Sequence, residues 1–335
     1  MTDFKRAAMI AATLAAAPAA AQDPGFNPAL SVIIDGALYH DDRDEHADEA
    51  GDDGHDHDGG LNHGFNLREV EIVLSSTIDP YFDGVAAFAV ADGAFEVEEA
   101  FITTRALPAG FVVKAGKFLS DIGYLNAQHP HAWSFSDRPL VNEQVFGPHG
   151  LQETGIQAAW VPATPIYARF GIEVLQGDNT LAPPLETSGH GPRVFTAFAN
   201  VAPDLGYDHA LQAGLFTGYG DLRMWGADLV YKYDAGGAAG KGSLVAQAEY
   251  VKRARDVGGY YAQAVYGFAR RWNAGVRIDH VGHAERATAM VAWMPTEFSR
   301  IRLQWSRGDD DAGEAFDQVF LQWQMSLGAH GAHAF

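Results

Sequence analysis

From residue 29 onwards, the chain is a succession of short segments in which apolar and polar residues alternate. Because successive side chains of a strand point to opposite faces, each segment predicts a β-strand with one apolar and one polar face. In Ile301-Arg302-Leu303-Gln304-Trp305, for example, apolar residues occupy the odd positions and polar residues the even ones. After residue 21, no segment supplies the roughly 18 consecutive apolar residues that a membrane helix needs. The alternation predicts an all-β protein.

About sixteen such segments are bounded by Gly, Pro, Asp or Asn. Their typical length of about 9–12 residues matches tilted strands that cross a bilayer and exceeds the 5–6 residues usual in soluble sheets. The predicted strands span residues 29–40, 65–78, 83–91, 95–106, 110–119, 151–161, 165–176, 193–202, 208–218, 222–234, 243–254, 258–268, 272–281, 286–295, 297–306 and 316–328.

The connections between these segments differ on the two sides of the predicted sheet. Most connections on one side are short turns such as Asp79-Pro80-Tyr81, whereas the other side has long polar ones at 41–64, 119–150, 177–192 and 307–315. Outer-membrane barrels combine short periplasmic turns with long extracellular loops. We therefore predict a single transmembrane antiparallel β-barrel of about 16 strands with long extracellular loops, over a soluble exported sandwich or β-helix.

The polar faces of the predicted strands carry both signs of charge, as in the Arg300–Arg302 pair and the Glu69–Glu71 pair. Unpaired charges are costly in a packed core, so this composition favours a lumen that contains water. Aromatic residues at the segment ends suit the membrane interfaces; they are Tyr81, Phe82, Tyr207, Trp272 and Phe298.

The first 21 residues have the features of a secretory signal peptide. Lys5 and Arg6 precede an apolar stretch, and three alanines precede a predicted cleavage before Gln22. Residues 22–335 then form the predicted barrel domain. The chain has no cysteine, which excludes disulfides and thiolate chemistry. Its net charge of −20, from 23 basic and 43 acidic residues, argues against binding of nucleic acid.

The predicted signal peptide, the strand pattern and the C-terminal Phe335 together resemble Gram-negative porins, and this resemblance covers the whole mature chain. It implies a channel in the outer membrane of a Gram-negative bacterium, surrounded by lipid and lipopolysaccharide and inserted by the barrel assembly machinery. It also leaves a homotrimer open. The end of the chain departs from the porin pattern, because Gly328 to Ala334 lack the further alternating aromatic residues.

A narrower resemblance is to a proteobacterial outer-membrane family labelled zinc-regulated or TonB-dependent receptors. The motifs that carry it are Leu67-Arg68-Glu69, Asp79-Pro80-Tyr81-Phe82, Glu96-Val97-Glu98-Glu99-Ala100, Gly123-Tyr124-Leu125-Asn126, Gln128-His129-Pro130-His131-Ala132-Trp133, Asp137-Arg138-Pro139-Leu140 and the ending from Gly328 to Phe335. TonB-dependent transporters have about 22 strands and a plugged lumen. The first predicted strand begins within ten residues of the predicted cleavage, which leaves no room for an N-terminal plug domain.

The first long connection, residues 41–64, is rich in His and Asp. Imidazole and carboxylate groups without thiolates suit Zn²⁺, Ni²⁺ or Cu²⁺, so we expect labile binding of a divalent metal, with Zn²⁺ as the first candidate. The alternative is a solvated acidic loop that keeps the pore mouth negative. The candidate metal-ligating residues are His46, His55, Asp56, His57, Asp58 and His63.

Residues 119–150 form the third connection on the side that has the long connections, and this corresponds by count to the loop that narrows the channel in general porins. The resemblance therefore implies that it folds inward and forms a constriction. Packing of Trp133, Phe135 and the prolines against the wall is the structural alternative. The candidate constriction residues are Asp121, His129, His131, Asp137, Arg138 and Glu143.

These features favour a porin-like channel for passive diffusion of small solutes, including divalent metal ions such as zinc or their chelates, with the acidic loop concentrating cations. Such a channel requires no cofactor. The alternative is a non-conducting, receptor-like barrel that binds metal at the cell surface. An enzyme is not expected, because Ser120, Ser134 and Ser136 lie near histidines without a Gly-x-Ser-x-Gly or similar nucleophile setting.

Overall fold

The computed structural model describes residues 28–43, 61–91, 94–178, 191–253 and 257–328. Sixteen strands pair in chain order and form a closed barrel. They are β1 (Ala29–Asp41), β2 (Gly64–Thr77), β3 (Phe82–Ala91), β4 (Ala94–Thr104), β5 (Phe111–Leu119), β6 (Gln152–Trp160), β7 (Tyr167–Leu175), β8 (Val194–Ala202), β9 (His209–Gly220), β10 (Met224–Tyr233), β11 (Leu244–Arg253), β12 (Gly258–Ala269), β13 (Trp272–Val281), β14 (Ala284–Thr296), β15 (Ser299–Asp309) and β16 (Ala315–Gly328).

The predicted antiparallel barrel of about sixteen strands is confirmed. Antiparallel pairing of β1 with β16, from Ser31 opposite Gly328 to Asp41 opposite Gln318, closes it. The largest difference from the predicted bounds falls at the end of β15, which we placed at residue 306 and which lies at Asp309. Among the described residues, no helix has the length and apolar character needed to span a membrane.

The outer face of the barrel is apolar. Large side chains exposed there include Leu215, Val276, Ile278 and Leu303, each more than half exposed. The predicted interfacial aromatics lie at the end with the short turns, where Tyr81 and four others are exposed or half-buried; the others are Phe82, Tyr207, Trp272 and Phe298. A closed barrel with an apolar outer face satisfies its backbone hydrogen bonds within lipid.

The inner face carries the polar side chains that the alternation predicted. Register pairs such as Asp279 with Arg286 and Asp228 with Glu249 put charged side chains on the lumen side. We expected these charges to line a water-filled lumen. Many of them are instead buried against the connection between β5 and β6, residues 120–151, which includes the helix α1 (Leu140–Phe146).

Candidate functional site

The connection of residues 120–151, hereafter the third connection, lies inside the barrel. Its backbone or side chains hydrogen-bond to wall residues distributed around the circumference: Glu71 on β2, Glu173 on β7, Glu249 on β11, Asp279 on β13 and Gln304 on β15. Because these strands lie on different sides of the barrel, the connection crosses the lumen instead of following one wall. This segment is the one that the sequence placed at residues 119–150 as an inward-folded loop.

Apolar side chains of the third connection also pack against the apolar residues of the inner wall. This gives the barrel a hydrophobic core inside its lumen. Trp133 therefore packs the connection against the wall, as the alternative to a constriction role predicted. The residues from the connection are Ile122, Leu125, Trp133, Val141, Val145, Phe146 and Leu151, and those from the wall include Phe101, Phe118, Phe198, Phe216 and Tyr261.

The middle of the third connection is held by a charge-balanced cluster, which we call the arginine clamp. Oδ2 of Asp137 lies 2.8 Å from Nη2 of Arg277 and 2.7 Å from Nη1 of Arg286. Oδ2 of Asp279 lies 2.9 Å from Nε of Arg277 and 3.3 Å from Nε of Arg286. Two carboxylates thus face two guanidinium groups, and the pairing offsets the cost of burying them.

The clamp also affects the protonation of Asp137. Burial raises the pKa of this carboxyl group, but the guanidinium groups of Arg277 and Arg286 outweigh it and lower the pKa to about 2. Asp137 is therefore ionised at neutral pH, and it anchors the connection to β13 and β14. The sequence singled out Asp137 but not its two arginine partners.

Arg138 and Glu143, the neighbouring predicted constriction residues, occupy different environments. Arg138 is buried, with its guanidinium carbon 4.7 Å from the centroid of the Trp133 ring, and burial lowers its pKa to about 10. Its carbonyl oxygen accepts a hydrogen bond from Nη2 of Arg286 at 2.8 Å. Glu143 lies in the first turn of α1 and is exposed.

Asp121 forms a separate attachment at the start of the third connection. Its carboxylate lies 3.6 Å from Nζ of Lys114 on β5, contacts Nη2 of Arg169 on β7 and accepts a hydrogen bond from Gln157 at 3.0 Å. Burial raises the pKa of Asp121, whereas Lys114 and Arg169 lower it to about 2. Like Asp137, Asp121 is paired with basic side chains of the wall and anchors the connection to it.

His129 and His131 lie against β2 and β4, in what we call the histidine–glutamate cluster. Nε2 of His129 lies 2.8 Å from Oε2 of Glu99, and its Nδ1 lies 3.5 Å from carboxylate oxygens of both Glu71 and Glu98. Nδ1 of His131 lies 2.9 Å from Oε2 of Glu71. The two imidazole rings are stacked, with centroids 5.7 Å apart.

Carboxylates outnumber the histidines in this cluster, because Glu71, Glu98 and Glu99 surround His129 and His131. The carboxyl group of Glu69 lies beside Glu71. Burial lowers the pKa of His129, but the surrounding carboxylates of Glu71, Glu98 and Glu99 raise it well above its usual range. The site therefore stabilises positive charge in the lumen.

A β-bulge in β4 explains how Glu98 and Glu99 both reach His129. The register between β3 and β4 shifts so that Ala87 pairs with Glu99 and Phe88 pairs with Val97, which leaves Glu98 as the extra residue. In a regular strand two consecutive side chains point to opposite faces, and a bulge re-aims one of them. Glu99 also accepts a hydrogen bond from the backbone N–H of Leu119 at 2.8 Å.

Arginines from β15 hold the backbone beside the cluster. Nη2 of Arg300 donates to the carbonyl oxygen of His131 at 2.8 Å, and Nη2 of Arg302 donates to that of Trp133 at 3.0 Å. These contacts fix the segment that carries both histidines. They explain why Arg302, predicted to face the lumen, is buried and why Arg300 beside it is half-buried.

Glu71, Glu98 and Glu99 are the functional candidates that the sequence analysis missed. Glu71 was identified only as an inner-face residue, and Glu98-Glu99 only as part of a motif. The usable signal was the run Glu96-Val97-Glu98-Glu99, because two consecutive acids interrupt the strict alternation of a strand.

The predicted metal ligands of the acidic loop are largely outside the described residues; these are His46, His55, Asp56, His57 and Asp58. His63 is described, and its Nε2 accepts a hydrogen bond from the backbone N–H of Asp41 at 3.4 Å. Its ring lies 4.9 Å from that of His40, between centroids. The expected metal site of this loop stays a prediction.

Comparison with known proteins shows similarity to bacterial outer-membrane barrels. An anion-selective porin from Comamonas acidovorans matches with a TM-score of 0.59 and 13% identity, over 90% of this chain and 99% of that one. The outer membrane channel DcaP of Acinetobacter baumannii matches with a TM-score of 0.54 and 12% identity, over 90% and 97% of the two chains. At these identities the likeness shows the fold.

OmpT, an outer membrane protein of Vibrio cholerae solved in a trimer form, matches with a TM-score of 0.56 and 10% identity, over 90% of this chain and 99% of that one. Together with the apolar outer face, this fold confirms the predicted location in the outer membrane. The narrower label of a zinc-regulated or TonB-dependent receptor finds no support in these comparisons.

No family model matches the chain. In sequence, it is 33% identical to an uncharacterized protein of Aquifex aeolicus (strain VF5) over an alignment of 365 positions including gaps, and the match covers 89% of this chain and 74% of that protein. The chain belongs to the same family as this Aquifex protein and has the barrel fold of outer membrane porins.

Proposed function

We propose that the protein is a channel for passive diffusion of small solutes across the outer membrane, and that the third connection restricts it. The observation that carries this proposal is the closed barrel with charged inner residues and a connection folded into its lumen. The channel-forming proteins with the same fold support it. The barrel fold also favours a channel over an enzyme.

The restriction acts on size and on charge. Because the third connection contacts both sides of the wall, solutes pass beside it through what remains of the lumen, which favours ions and small chelates over larger nutrients. The histidine–glutamate cluster adds excess negative charge to the inner wall beside the third connection. Divalent metal ions such as zinc are therefore the proposed cargo, and the acidic loop at 41–64 raises their concentration at the mouth.

Planar-bilayer recording tests the channel directly. The full chain is compared with a variant in which residues 123–148 are replaced by a short Gly–Ser linker, and with a control in which residues 44–60 are replaced by the same linker. We expect a small steady conductance from the full chain and a severalfold larger one from the first variant. The control should show no such increase, and its cation conductance should fall because it lacks the acidic loop that concentrates cations. A folded barrel that stays silent in all three forms would contradict a channel.

The second candidate is a non-conducting barrel that binds metal. The hydrogen bonds of the third connection around the whole circumference favour it, because such a connection is able to close the lumen. The same recording separates the two functions: a silent full chain with a conducting linker variant identifies a closed barrel.

We further propose a homotrimer, in keeping with the trimer form of OmpT. The outer face of β2 to β5 has a shallow groove of about 570 Å³ lined by small residues, including Ser76, Gly84, Ala86 and Ala100. Small side chains allow two walls to approach closely. Lipid and lipopolysaccharide cover the rest of the outer face, and the barrel assembly machinery inserts the chain. Chemical crosslinking in detergent should give a species of three chains that Ala86→Trp reduces.

A further inference from the structure

The histidine–glutamate cluster contains three candidate ligand atoms that lie close together. Among the described residues, Glu71, Glu98 and His129 each offer one metal-ligating atom, and these atoms lie within 4.8 Å of one another. Nδ1 of His129 lies 3.5 Å from Oε2 of Glu71 and 3.5 Å from Oε2 of Glu98. Ligands of a tetrahedral ion at metal–ligand distances of 2.0–2.2 Å are separated by roughly 3.3–3.6 Å. The two observed separations match that spacing.

The imidazole of His129 is held in the orientation that a metal ligand requires. Its Nε2 lies 2.8 Å from Oε2 of Glu99. Because a carboxylate only accepts hydrogen bonds, Nε2 carries a proton directed at Glu99, and Nδ1 is the nitrogen turned toward Glu71 and Glu98. A metal ion bound at Nδ1 replaces the second proton of the imidazolium, which is released to solvent. Metal-ligating histidines usually donate their other ring N–H to a carboxylate or carbonyl oxygen. Glu99 is thus a positioning residue for this site.

Glu71 is positioned in a similar way and retains ligand capacity. Its Oε2 accepts a hydrogen bond from Nδ1 of His131 at 2.9 Å, while its Oε1 meets no donor with hydrogen-bond geometry among the described residues and has only the carboxyl group of Glu69 beside it. Glu71 is 1% exposed, so that oxygen is shielded from bulk water. Oε2 of Glu98 is also buried and makes no hydrogen bond of normal geometry; its nearest partner is Nδ1 of His129 at 3.5 Å. Buried carboxylate oxygens without partners are costly, and a bound cation offsets that cost.

We propose that Glu71, Glu98 and Nδ1 of His129 bind a divalent transition metal ion inside the barrel, with Zn²⁺ as the first candidate. An imidazole with two carboxylates suits Zn²⁺ better than Ca²⁺ or Mg²⁺, which prefer oxygen ligands alone. Three protein ligands leave the fourth position to water or to a solute. The site is distinct from the acidic loop at 41–64, and it does not depend on whether the barrel conducts.

Calorimetric titration of the chelator-treated, folded full chain with Zn²⁺ tests the site. The acidic loop is identical in all variants, so its contribution cancels when they are compared. We expect the full chain to bind one Zn²⁺ more than Glu71→Gln or Glu98→Gln. The matched control is Glu96→Gln, an exposed acid two residues from Glu98 on β4, 3.4 Å from Nζ of Lys117; it should bind as the full chain does.

A second measurement separates ligands from positioning residues. Co²⁺ in a four-coordinate site gives intense visible absorption, which we expect from the full chain and not from Glu71→Gln. Glu99→Gln should keep the band but weaken the affinity by about 10–100-fold, as loss of a supporting hydrogen bond does. His209→Gln, at an exposed histidine paired with Tyr231, is the control and should change neither.

Equal Zn²⁺ binding by the full chain and both glutamine variants would overturn the proposal, as would a site that prefers Ca²⁺ or Mg²⁺. Heat-dependent gel migration reports whether each barrel has folded. If Glu71→Gln fails to fold, Glu98→Gln decides, because Glu98 is the extra residue of the bulge and its oxygen supports no hydrogen bond.

Discussion

The two sides of the third connection meet the barrel wall in different ways. At the arginine clamp, the carboxylates of Asp137 and Asp279 are matched by the guanidinium groups of Arg277 and Arg286. At the histidine–glutamate cluster, four carboxyl groups surround two histidines, and two of their buried oxygens have no hydrogen bond.

This difference separates an anchor from a binding site. In a buried cluster with balanced charges, each charge already has a partner, so no further ion is needed. Loss of one member leaves another charge buried without a partner, which lowers the free energy of unfolding. In a cluster with excess negative charge, the carboxylates repel one another. Binding of a cation or loss of one acid reduces this repulsion and stabilises the fold. The two clusters should therefore respond in opposite directions to removal of a charge.

The largest effect should come from breaking the clamp. Arg277→Ala leaves Asp137 and Asp279 buried with a single cation, and we expect the free energy of unfolding to fall by about 3–5 kcal/mol. Denaturant unfolding of the folded barrel measures it. Arg105→Ala is the matched control, because the exposed Arg105–Asp83 pair at 2.8 Å should contribute below about 1 kcal/mol. An equal loss of unfolding free energy in the two variants would show that the clamp stabilises the barrel no more than an exposed ion pair does.

Zinc should stabilise the cluster side. At a free concentration of about 100 times the dissociation constant, binding of one ion adds about 2.7 kcal/mol to the free energy of unfolding. We expect Zn²⁺ to raise the free energy of unfolding of the full chain by this amount more than that of Glu71→Gln, with each protein unfolded in the presence and in the absence of Zn²⁺. An equal gain in both proteins would assign the stabilisation to the acidic loop.

Acid should weaken the clamp only at low pH. The pKa of Asp137 is lowered to about 2, below its unfolded value, so its contribution is complete above about pH 4 and is lost as the pH falls toward 2. The shift corresponds to about 2 kcal/mol. The stability difference between the full chain and Asp137→Asn should be constant from pH 5 to 7 and shrink below about pH 4. A difference that already disappears near pH 6 would contradict the assignment.

The smallest effect should have the opposite sign. In the absence of metal, Glu98→Gln removes one of several like charges, so we expect the free energy of unfolding to rise by less than about 1 kcal/mol. Asp279→Asn, the corresponding change at the clamp, should lower it. Parallel denaturation of the two variants in chelator is the measurement, and destabilisation of both would show that the cluster is balanced after all.

The alternation of side chains was sufficient to predict the barrel, because strand period and turn residues are local properties. The strand from 272 to 281 was predicted with the bounds that β13 has. The alternation also placed Arg277, Arg302 and Glu71 on the inner face. It did not predict how completely the third connection buries them, because that depends on contacts between residues more than a hundred positions apart, such as Asp137 with Arg277.

The sequence analysis did not identify all the residues of the proposed internal metal site. His129 and His131 were recognised as constriction residues, but their acidic partners were not, since the approach of Glu98 and Glu99 depends on a register shift in β4. A bulge is a tertiary feature of strand pairing, and composition does not specify it. The acidic loop was conspicuous for the opposite reason: its His and Asp residues are adjacent in sequence.

The most direct test of the account is the ion selectivity of single channels, measured as the reversal potential in a salt gradient before and after addition of micromolar Zn²⁺. The account predicts a small, cation-selective conductance that Zn²⁺ reduces in the full chain and leaves unchanged in Glu71→Gln. An anion-selective conductance that Zn²⁺ does not affect would contradict it.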